Sequence, residues 1–453
     1  MDIAHKTYIL DTNARYFGFS VLQMMENAGR GIAEEIETLY GKGKRIAVVC
    51  GTGNNGGDGF VASRFLQNSN EVHVFLCGEE EKIKTEEARM NFSLLKNSDT
   101  HISCIRDSSE ATDLFEDFDV IVDALFGIGI TGELREPARS IVCAMNASRA
   151  KKVSIDVPSG WGTSFVVRPD LVFNLHFQKT EGGHVLPLGI PYDLEKNIGP
   201  GEVRYLSWKK KDSHKGDNGR VLVVGGSEVY VGAPVYCGLA SSRIADLVYV
   251  CAPKDALPYI KPHPEFIASD FSALDIFIPK SDVIACGCGL GTNAKSKEIL
   301  TKVLASDKKK LFDADALRLL EPNQLDKKCI VTPHAGEYFD LFGEEPSSDN
   351  IQRNARMYGV TIVLKGRTDI VCQKEMRFNH TGNEGMTTGG TGDVLAGIIA
   401  AFASTNDNFE AACAGTFVCG MAGDMVKKEK GTHFTASDVV GKISQAIQWC
   451  MDF

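Results

Sequence analysis

The sequence lacks the features of a membrane or secreted protein. No apolar run approaches the roughly 18 residues that a bilayer-spanning helix needs. The N-terminus, Met1–Lys6, has neither a basic start nor the apolar stretch of a secretory signal. We therefore expect a cytoplasmic protein with no membrane partner.

Positive charge and paired cysteines are also scarce. Asp and Glu total 59 against 49 Lys and Arg, giving a net charge of −10, which argues against nucleic acid or an anionic membrane surface as the main partner. The 13 cysteines contain no CxxC pair, and the closest two are Cys286 and Cys288. This usage excludes a disulfide framework or a zinc site and is typical of buried thiols in a reducing compartment.

The sequence of 453 residues predicts two α/β blocks. Apolar strands alternate with amphipathic helices, and each strand ends in a loop rich in Gly, Asn or Asp, which predicts doubly wound parallel sheets. In the first block, strands are predicted at 45–50, 71–76, 119–126 and 152–160. The charged stretch Trp208–Asp217 predicts a linker between the blocks; a long solvated loop within one domain is the less favoured alternative.

The first block contains the glycine-rich loop Gly51–Gly56, which matches the pattern G-x-G-x-x-G between a strand and a helix. Alone, this pattern predicts a dinucleotide-binding domain, although only Glu79 loosely supplies the expected acidic residue. The loop is unusually polar, and the oxygens of Asn55 and Asp58 suit a hard cation or a hydroxyl-rich ligand. A ligand site is favoured over a simple polar turn that caps the helix.

Other strand ends of this block supply matching oxygens. Asp123 ends one predicted strand, and Asp156 and Ser159 end another. Because the carboxyl ends of parallel strands share one edge of a sheet, Asp123 could share a cation with Asn55 and Ser159. The common alternative for each Asp is a hydrogen-bond acceptor in a turn.

The second block is organised around Thr387–Asp393, a glycine-rich turn that leads into an apolar segment ending at Phe402. The turn predicts converging backbone N–H groups and the apolar segment a buried helix, a combination that favours a bound anion. Asp393 would repel a phosphate, so we predict that it accepts a proton from the group that attacks the phosphate. A helix N-cap is the alternative, and this stretch alone does not decide between them.

Four further polar residues of the second block could serve the same site. Lys365 follows a buried-type strand and could neutralise a phosphate. Asp313 and Asp315 could hold magnesium through water or serve in a turn, and His334 could be catalytic or structural. No GxxxxGK[ST] sequence occurs, so a nucleotide site here must be of another type.

These motifs together carry a resemblance to a known family. The sequence resembles the bifunctional NAD(P)H-hydrate repair enzymes over nearly its whole length. The stretches that carry the resemblance in the first half are 24–29 (MMENAG), 54–59 (NNGGDG), 122–127 (VDALFG) and 156–160 (DVPSG). Those in the second half are 214–216 (HKG), 224–227 (VGGS), 289–291 (GLG), 313–317 (DADAL), 332–334 (TPH), 364–366 (LKG) and 389–395 (GGTGDVL).

The resemblance implies an epimerase domain of Rossmann-like fold at residues 1–208 and a ribokinase-like dehydratase domain at residues 209–453. The first interconverts the R and S forms of hydrated NADH and NADPH. The second dehydrates the S form at the expense of ADP, with ATP as the alternative co-substrate, and releases AMP and phosphate. Potassium, magnesium and assembly as a homo-oligomer are implied as well.

The resemblance also implies roles for individual residues. Asp156 would be the catalytic carboxylate of the epimerase domain and Asp393 that of the dehydratase domain. The hydrated dinucleotide would be held in the epimerase domain by Asn54, Asn55, Gly56, Gly57, Asp58, Gly127, Ile128, Gly129, Ile130, Thr131, Gly132, Glu133 and Asp156. Potassium would be coordinated there by Asn55, Asp123 and Ser159. The hydrate would be contacted in the dehydratase domain by Ala233, Gly289, His334 and Asp393. The adenine nucleotide would be contacted by Lys365, Gly366, Arg367, Thr368, Asp369 and Gly392.

Two departures from the family pattern and two alternatives remain. Cys288 stands where family members usually carry Pro, which changes the stiffness of the loop before Gly289. The segment after Ser159 is short, which predicts a different rim of the epimerase site and a different epimerase rate. A ribokinase-like small-molecule kinase would explain the second half equally well, and the first half could be a non-catalytic ligand-binding module.

Overall fold

The computed structural model describes residues 3–130, 132–209 and 211–453. Thr131, one of the predicted substrate contacts, lies outside the described residues. The chain forms two compact units. The first holds Phe17–Leu194 and the earliest described residues up to Thr7, and the second holds Tyr8–Tyr16 and Glu195–Phe453. No helix in the described ranges is long and apolar enough to cross a bilayer.

The first unit is built on a seven-stranded, wholly parallel sheet with strand order β3-β2-β1-β4-β5-β6-β7. Its strands are β1 Arg45–Cys50, β2 Glu71–Cys77, β3 His101–Ile105, β4 Val120–Ala124, β5 Lys151–Ile155, β6 Leu171–Leu175 and β7 His184–Leu186. The α-helices up to residue 195 are α1 Ile3–Tyr16, α2 Val21–Tyr40, α3 Asn54–Leu66, α4 Glu86–Lys96, α5 Ala138–Ala147 and α6 Tyr192–Glu195. The predicted doubly wound sheet is confirmed.

Both faces of this sheet are covered, which explains the continuous apolar runs of its strands. In β1, Ile46, Val48 and Cys50 pack with residues of α2, α3 and α4, whereas Ala47 and Val49 pack on the opposite face with residues of α5. A capping box begins α2, in which Ser20 N donates to Gln23 Oε1 at 2.9 Å and Gln23 N donates to Ser20 Oγ at 3.2 Å.

Some strand ends differ from the prediction. β4 and β5 stop at Ala124 and Ile155, so the segments up to Phe126 and Gly160 are turns. Close packing requires glycine at two positions of the 51–56 loop. A Cβ on Gly51 would lie 1.9 Å from Leu125 O, and a Cβ on Gly56 would lie 1.9 Å from Gly51 O. Only glycine allows this close approach of β1, α3 and the turn after β4.

The second unit has a nine-stranded sheet with order β10-β9-β8-β11-β12-β13-β14-β15-β16, parallel up to β14 and antiparallel in its last two pairs. Its strands are β8 Arg220–Val224, β9 Leu247–Cys251, β10 Phe266–Ser269, β11 Val283–Cys286, β12 Lys309–Phe312, β13 Cys329–Val331, β14 Thr361–Leu364, β15 Asp369–Cys372 and β16 Met376–Asn379. Its α-helices are α7 Pro200–Arg204, α8 Ala233–Ser242, α9 Leu257–Ile260, α10 Leu274–Lys280, α11 Ala294–Leu304, α12 Ala335–Phe342, α13 Ser348–Tyr358, α14 Thr391–Ala403, α15 Asn408–Lys430 and α16 Ala436–Asp452.

Alternating residues of β8 again pack into two layers. Val221 and Val223 join a core with α8, α14, α15 and α16, while Leu222 and Val224 join one with α11, α12 and α13. The predicted buried helix after the Gly389–Gly392 turn is confirmed as α14, in which every residue from Val394 onward is buried. All thirteen cysteines are free thiols.

Residues 195–208 belong to the second unit, so the compact units separate before the charged stretch Trp208–Asp217 rather than at it. Helix α7 explains this, because its Val203 is fully buried in the core with α15 and α16. The buried Glu202 accepts a hydrogen bond from Asn13 Nδ2 at 2.8 Å and pairs with Arg377. The assignment of catalytic domains to residues 1–208 and 209–453 remains a prediction.

Candidate active sites

The first candidate site lies at the carboxyl edge of β1, β4 and β5. β1 and β4 are neighbours at the point where the strand order reverses, which is where doubly wound sheets leave a crevice for a ligand. Asn55 lies in the first turn of α3 just after β1, Asp123 lies near the end of β4, and Asp156 follows β5. The topology therefore brings together side chains that are distant in sequence.

Asp123 is fully buried and held by four hydrogen bonds. Ser154 Oγ and Ser159 N donate to its Oδ2 at 2.7 and 2.8 Å, and Ser159 Oγ and Leu125 N donate to its Oδ1 at 2.5 and 3.3 Å. Burial raises the pKa of Asp123 above its ordinary value, and these hydrogen bonds only partly oppose that shift. Among the described residues, no Lys, Arg or His forms an ion pair with it.

The oxygens around Asp123 could hold the predicted potassium ion. Asn55, Asp123 and Ser159 supply side-chain oxygens, and the carbonyl of Phe126 lies 3.2 Å from Ser159 Oγ. The Asn55 side chain is further unusual because its buried Nδ2 has no hydrogen-bond partner in the described part of the chain. A buried carboxylate without a cationic partner and an unsatisfied amide are both features that a bound cation and ligand would resolve.

Asp156 is held in an unusual conformation beside this group. Its φ is +68°, a value that residues other than glycine rarely adopt, and Asn174 Nδ2 donates to its carbonyl at 2.7 Å. Its Oδ1 forms an ion pair with Lys179, whose Nζ also donates to Leu175 O at 2.8 Å. The side chains of Lys179 and Asp156 are only 1% and 10% exposed.

Lys179 was missed at the level of sequence. It follows β6 by four residues, and β6 itself was not predicted, so nothing indicated that this lysine reaches the same sheet edge as Asp156. A lysine shortly after an apolar run such as Leu171–Leu175 is the signal that could have found it.

The predicted loop Gly127–Glu133 borders the site through its first residue. A Cβ on Gly127 would lie 3.2 Å from Asp156 Oδ2 and 3.7 Å from Asn55 Oδ1. At the other end of the loop, Glu133 accepts hydrogen bonds from Ser164 N and Oγ and so lies at the rim. Between these ends the structure describes Ile128, Gly129, Ile130 and Gly132 as loop residues.

The remaining predicted contacts of this site lie in the first turns of α3. Asn54 and Gly56 bracket Asn55, and Gly57 and Asp58 are buried. Gly57 has a packing role, since a Cβ there would lie 2.6 Å from Met25 Sδ on α2. The glycines therefore bring α2 close to α3 whether or not their N–H groups bind a ligand.

The second candidate site is centred on Asp393, at the N-terminus of α14. Gly390 is the N-cap, with φ of +97°, so Asp393 is the third helical residue and the N-cap alternative is wrong. Burial raises the pKa of Asp393 to about 7, and the charge of Asp313 adds to the shift. A carboxyl with this pKa can exchange a proton near neutral pH, as a general base requires.

Lys365 lies between two other carboxylates near this site, those of Asp313 and Glu337. Its Nζ donates to Asp313 Oδ1 at 2.6 Å and lies 3.6 Å from Glu337 Oε2. Burial lowers the pKa of Lys365, but the charges of Asp313 and Glu337 more than offset this, so the net shift is upward and the ammonium stays charged. A Cβ on Gly392 would lie 3.8 Å from Nζ, so the ammonium borders the helix N-terminus. Together they favour an anionic ligand.

The donor atoms near Asp393 do not suit magnesium. The ligand atoms of Cys288, Asp313 and Asp393 lie within 4.8 Å of one another. One of these is a thiol, which is a poor ligand for Mg²⁺, and Asp313 is already paired with Lys365. Asp315, the other predicted magnesium ligand, accepts a hydrogen bond from Gly291 N at 2.8 Å.

His334 caps helix α12. Its Nδ1 accepts hydrogen bonds from Gly336 N at 3.0 Å and Glu337 N at 3.2 Å, while its backbone N donates to Glu337 Oε2 at 2.9 Å. The proton of the neutral ring therefore lies on Nε2, and 55% of the side chain is exposed. Nε2 lies 3.5 Å from Glu337 Oε1.

Ala233 and Gly289 meet on another side of the site. Gly289 has φ of +66°, and a Cβ there would lie 3.1 Å from Ala233 Cβ and 2.8 Å from Tyr230 Cβ. Tyr230 was not predicted from the sequence and is 60% exposed. Glycine is needed at 289 for both its backbone conformation and its close contacts.

A cavity of about 960 Å³ adjoins Lys365 and Gly392. It is large enough for a nucleotide-sized ligand. Gly366, Arg367, Thr368 and Asp369 also line it, so all six predicted nucleotide contacts border one cavity.

Comparisons with known proteins cover both units. The profile of the NAD(P)H-hydrate dehydratase family matches residues 221–445, and a profile described as the N-terminus of YjeF-related proteins matches residues 21–180. A bifunctional NAD(P)H-hydrate repair enzyme from Methanocaldococcus jannaschii is 38% identical over 97% of this chain and 92% of its own. Another from Archaeoglobus fulgidus is 37% identical over 98% of each chain.

A solved structure shows the same type of fold. A ribokinase-like superfamily protein from Enterococcus faecalis V583 superposes with a TM-score of 0.53 at 27% identity, over 56% of this chain and 96% of its own.

Proposed function

The chain belongs to the bifunctional NAD(P)H-hydrate repair enzymes, and from this premise we propose which site carries each reaction. The protein is an NAD(P)H-hydrate epimerase, an isomerase, and an NAD(P)H-hydrate dehydratase, a lyase, in one chain. It acts on the hydrates of NADH and NADPH. Its first unit is Rossmann-like and its second is ribokinase-like. We assign epimerisation to the Asp156 site and dehydration to the Asp393 site.

The observation that carries the dehydratase assignment is the place of Asp393 in the first turn of α14, directly after Gly392, which lines the cavity together with Lys365. Hydroxide is a poor leaving group, whereas phosphate is a good one. Asp393 accepts the proton of the substrate hydroxyl while that oxygen attacks the terminal phosphorus of ADP and the bond to AMP breaks. Lys365 and the N–H of Gly392 offset the charge that develops on the phosphoryl oxygens. Loss of phosphate and of a ring proton then restores NAD(P)H.

The cavity bordered by Lys365, Gly392 and Asp369 is the proposed site for the adenine nucleotide. Its ammonium and helix N-terminus suit the phosphates. Magnesium was predicted from the sequence, but the thiol of Cys288 and the pairing of Asp313 argue against a protein-held ion. Any magnesium here has to be carried by the nucleotide phosphates.

Replacing Asp313 with Asn is expected to shift the pH dependence of dehydration. The base form of Asp393 is the active one, so wild-type kcat/KM rises as pH increases through about 7. Because the charge of Asp313 raises the pKa of Asp393, its removal moves this rise to lower pH. The kcat/KM of dehydration measured from pH 5 to 9, at about half-unit steps, tests this. A rise at unchanged or higher pH would contradict the proposed coupling.

The epimerase assignment is supported by the cluster of Asp156, Lys179 and Gly127 at the crevice between β1 and β4. The hydrated ring would lie against Asp156, with the dinucleotide along the Gly127–Glu133 loop and the start of α3. Asn55, Asp123 and Ser159 would hold potassium, which would supply positive charge next to the buried Asp123 and so fix the surrounding loops. Assembly as a homo-oligomer remains a proposal.

Potassium is expected to stabilise the first unit against heat. At a tenfold excess over Kd, a bound ion adds about 1.4 kcal/mol to the free energy of unfolding. At roughly 2–4 °C per kcal/mol for a unit of this size, this raises Tm by about 3–6 °C. Asn55→Ala removes one oxygen ligand without leaving a donor unpaired, so its Tm should respond less. Melting in equal concentrations of potassium and choline chloride measures the difference. An equal rise in both proteins would rule Asn55 out as a ligand.

The small-molecule kinase with a non-catalytic first half is not supported. The relatives that match 97–98% of this chain are bifunctional repair enzymes, and the match includes the first half.

The nucleotide requirement is tested by running dehydration with ADP and ATP in parallel. We expect NADH to appear only when a nucleotide is present, with one phosphate released per NADH and AMP formed from ADP. Dehydration at the same rate without nucleotide would refute the phosphoryl-transfer mechanism. A higher kcat/KM with ATP would leave the mechanism in place and reassign the co-substrate.

A further inference from the structure

The buried ion pair of Lys179 and Asp156 is hard to explain by stability alone. Removing two charges from water costs about as much as their attraction returns, so a buried pair is often no better for folding than two apolar residues. Both side chains are at most 10% exposed, and Lys179 Nζ makes only one other described contact, to Leu175 O. Their place at the ligand crevice points to a functional reason.

The contacts around Asp156 aim one oxygen at the crevice. Lys179 occupies Oδ1, the backbone N donates to Phe173 O at 2.7 Å, and Asn174 holds the carbonyl. These bonds fix the residue at φ +68°, a strained conformation that surrounding structure must impose. Oδ2 is left facing the backbone of Gly127, where the hydrated ring would lie.

The chemistry of the substrate defines what this oxygen can do. The ring double bond of NAD(P)H that takes up water is an enamine, so water adds at the carbon bonded to the ring nitrogen. That carbon then carries both a hydroxyl and a nitrogen, which makes it a hemiaminal. A hemiaminal inverts when its C–N bond breaks and re-forms on the opposite face.

We propose that Lys179 is a positioning residue for epimerisation, which holds Asp156 as the base and offsets the negative charge that passes from Asp156 to the opened ring. This inference rests on the proposed function of the first site. The observations that carry it are the ion pair at Oδ1 and the position of Oδ2 beside the backbone of Gly127.

Every atom in the step is accounted for. Asp156 Oδ2 takes the hydroxyl proton, the O–H electron pair forms the C=O of an aldehyde, and the C–N pair moves to the ring nitrogen. There it is delocalised into the carboxamide through the remaining ring double bond. After rotation about the neighbouring C–C bond, the nitrogen attacks the other face and the proton returns to oxygen. The total charge of the site is unchanged, because the negative charge that leaves Asp156 resides on the opened ring until the proton returns, and Lys179 stays hydrogen-bonded to Asp156 Oδ1 throughout.

The test compares Lys179→Met with Lys152→Met as a matched control. Lys152 lies at the start of β5, where its Nζ donates to the carbonyls of Ser148 and Ala150, away from the carboxyl edge. We expect Lys179→Met to lower kcat for epimerisation by about 100-fold with little change in KM. Lys152→Met should behave as wild type, and dehydration of the S form should be unaffected in both variants.

Two further readouts separate a role in catalysis from a role in folding. In Lys179→Ala, added methylammonium is expected to raise the epimerisation rate of the variant by at least about tenfold. Tetramethylammonium, which carries the same charge but cannot donate a hydrogen bond, should not raise it. In ¹⁸O-labelled water, wild-type epimerisation should retain the original hydroxyl oxygen, because the C–O bond stays intact.

Each outcome decides a different point. Wild-type epimerisation in Lys179→Met, or a loss in Lys179→Ala that methylammonium does not restore, would overturn the role of Lys179. Incorporation of one solvent oxygen per turnover would overturn the ring-opening step. If the wild-type protein fails to epimerise at all, the proposed function of the site fails instead.

Discussion

Replacing Asp393 with Asn is expected to lower nucleotide-dependent dehydration by about 10³-fold. The amide keeps the size and polarity of the side chain but cannot accept the hydroxyl proton. Because Gly390 and not Asp393 is the N-cap of α14, the substitution leaves the helix start intact. The rate of NADH formation from its S hydrate, followed by absorbance with saturating ADP, measures the effect.

Epimerisation by the same variant is the control for folding. We expect its rate to equal that of the wild type, since Asp393 belongs to the second unit and the epimerase site to the first. Dehydration within about tenfold of wild type in a folded Asp393→Asn protein would show that another group accepts the proton.

Replacing Asp156 with Asn is expected to slow epimerisation by about 10²–10³-fold. The substitution removes the base, and it also leaves Lys179 buried without a counter-charge. Asparagine tolerates the φ of +68° better than most residues, so the backbone should be retained. Conversion of the pure R hydrate to the S hydrate, followed by chromatography, measures the loss.

The Asp156→Asn protein should dehydrate the S hydrate at the wild-type rate. Equal loss of both activities would mean that the two sites depend on each other. Unchanged epimerisation would remove Asp156 from the mechanism, and with it the positioning role of Lys179.

Much of the fold could be predicted from local patterns. The apolar runs of β1 and β8 and the glycine turn before α14 indicate buried parallel strands and a buried helix, because both faces of each sheet are covered. Residues 195–208 could not be placed. Their membership of the second unit depends on Glu202 meeting Asn13 and Arg377, residues far away in sequence.

Only part of each candidate site could be predicted from the sequence. Side chains directly after strands, such as Asn55 and Asp123, can be assigned to a shared sheet edge from sequence alone. Lys179 reaches that edge from an unpredicted strand, and Tyr230 comes close to Gly289 only through the folding of its loop. The Asp313–Lys365 contact likewise depends on two strand ends that are separated by a third.

The central claim is that two independent sites in one chain return both hydrates to NAD(P)H. The most direct test starts from a mixture of R and S hydrated NADH with ADP and compares wild type, Asp156→Asn, Asp393→Asn and an equimolar mix of the two variants. We predict complete conversion by wild type and by the mix, a plateau at the S fraction with Asp156→Asn, and no NADH with Asp393→Asn. A mix that stops at the S fraction, or an Asp156→Asn protein that converts everything at the wild-type rate, would contradict the account.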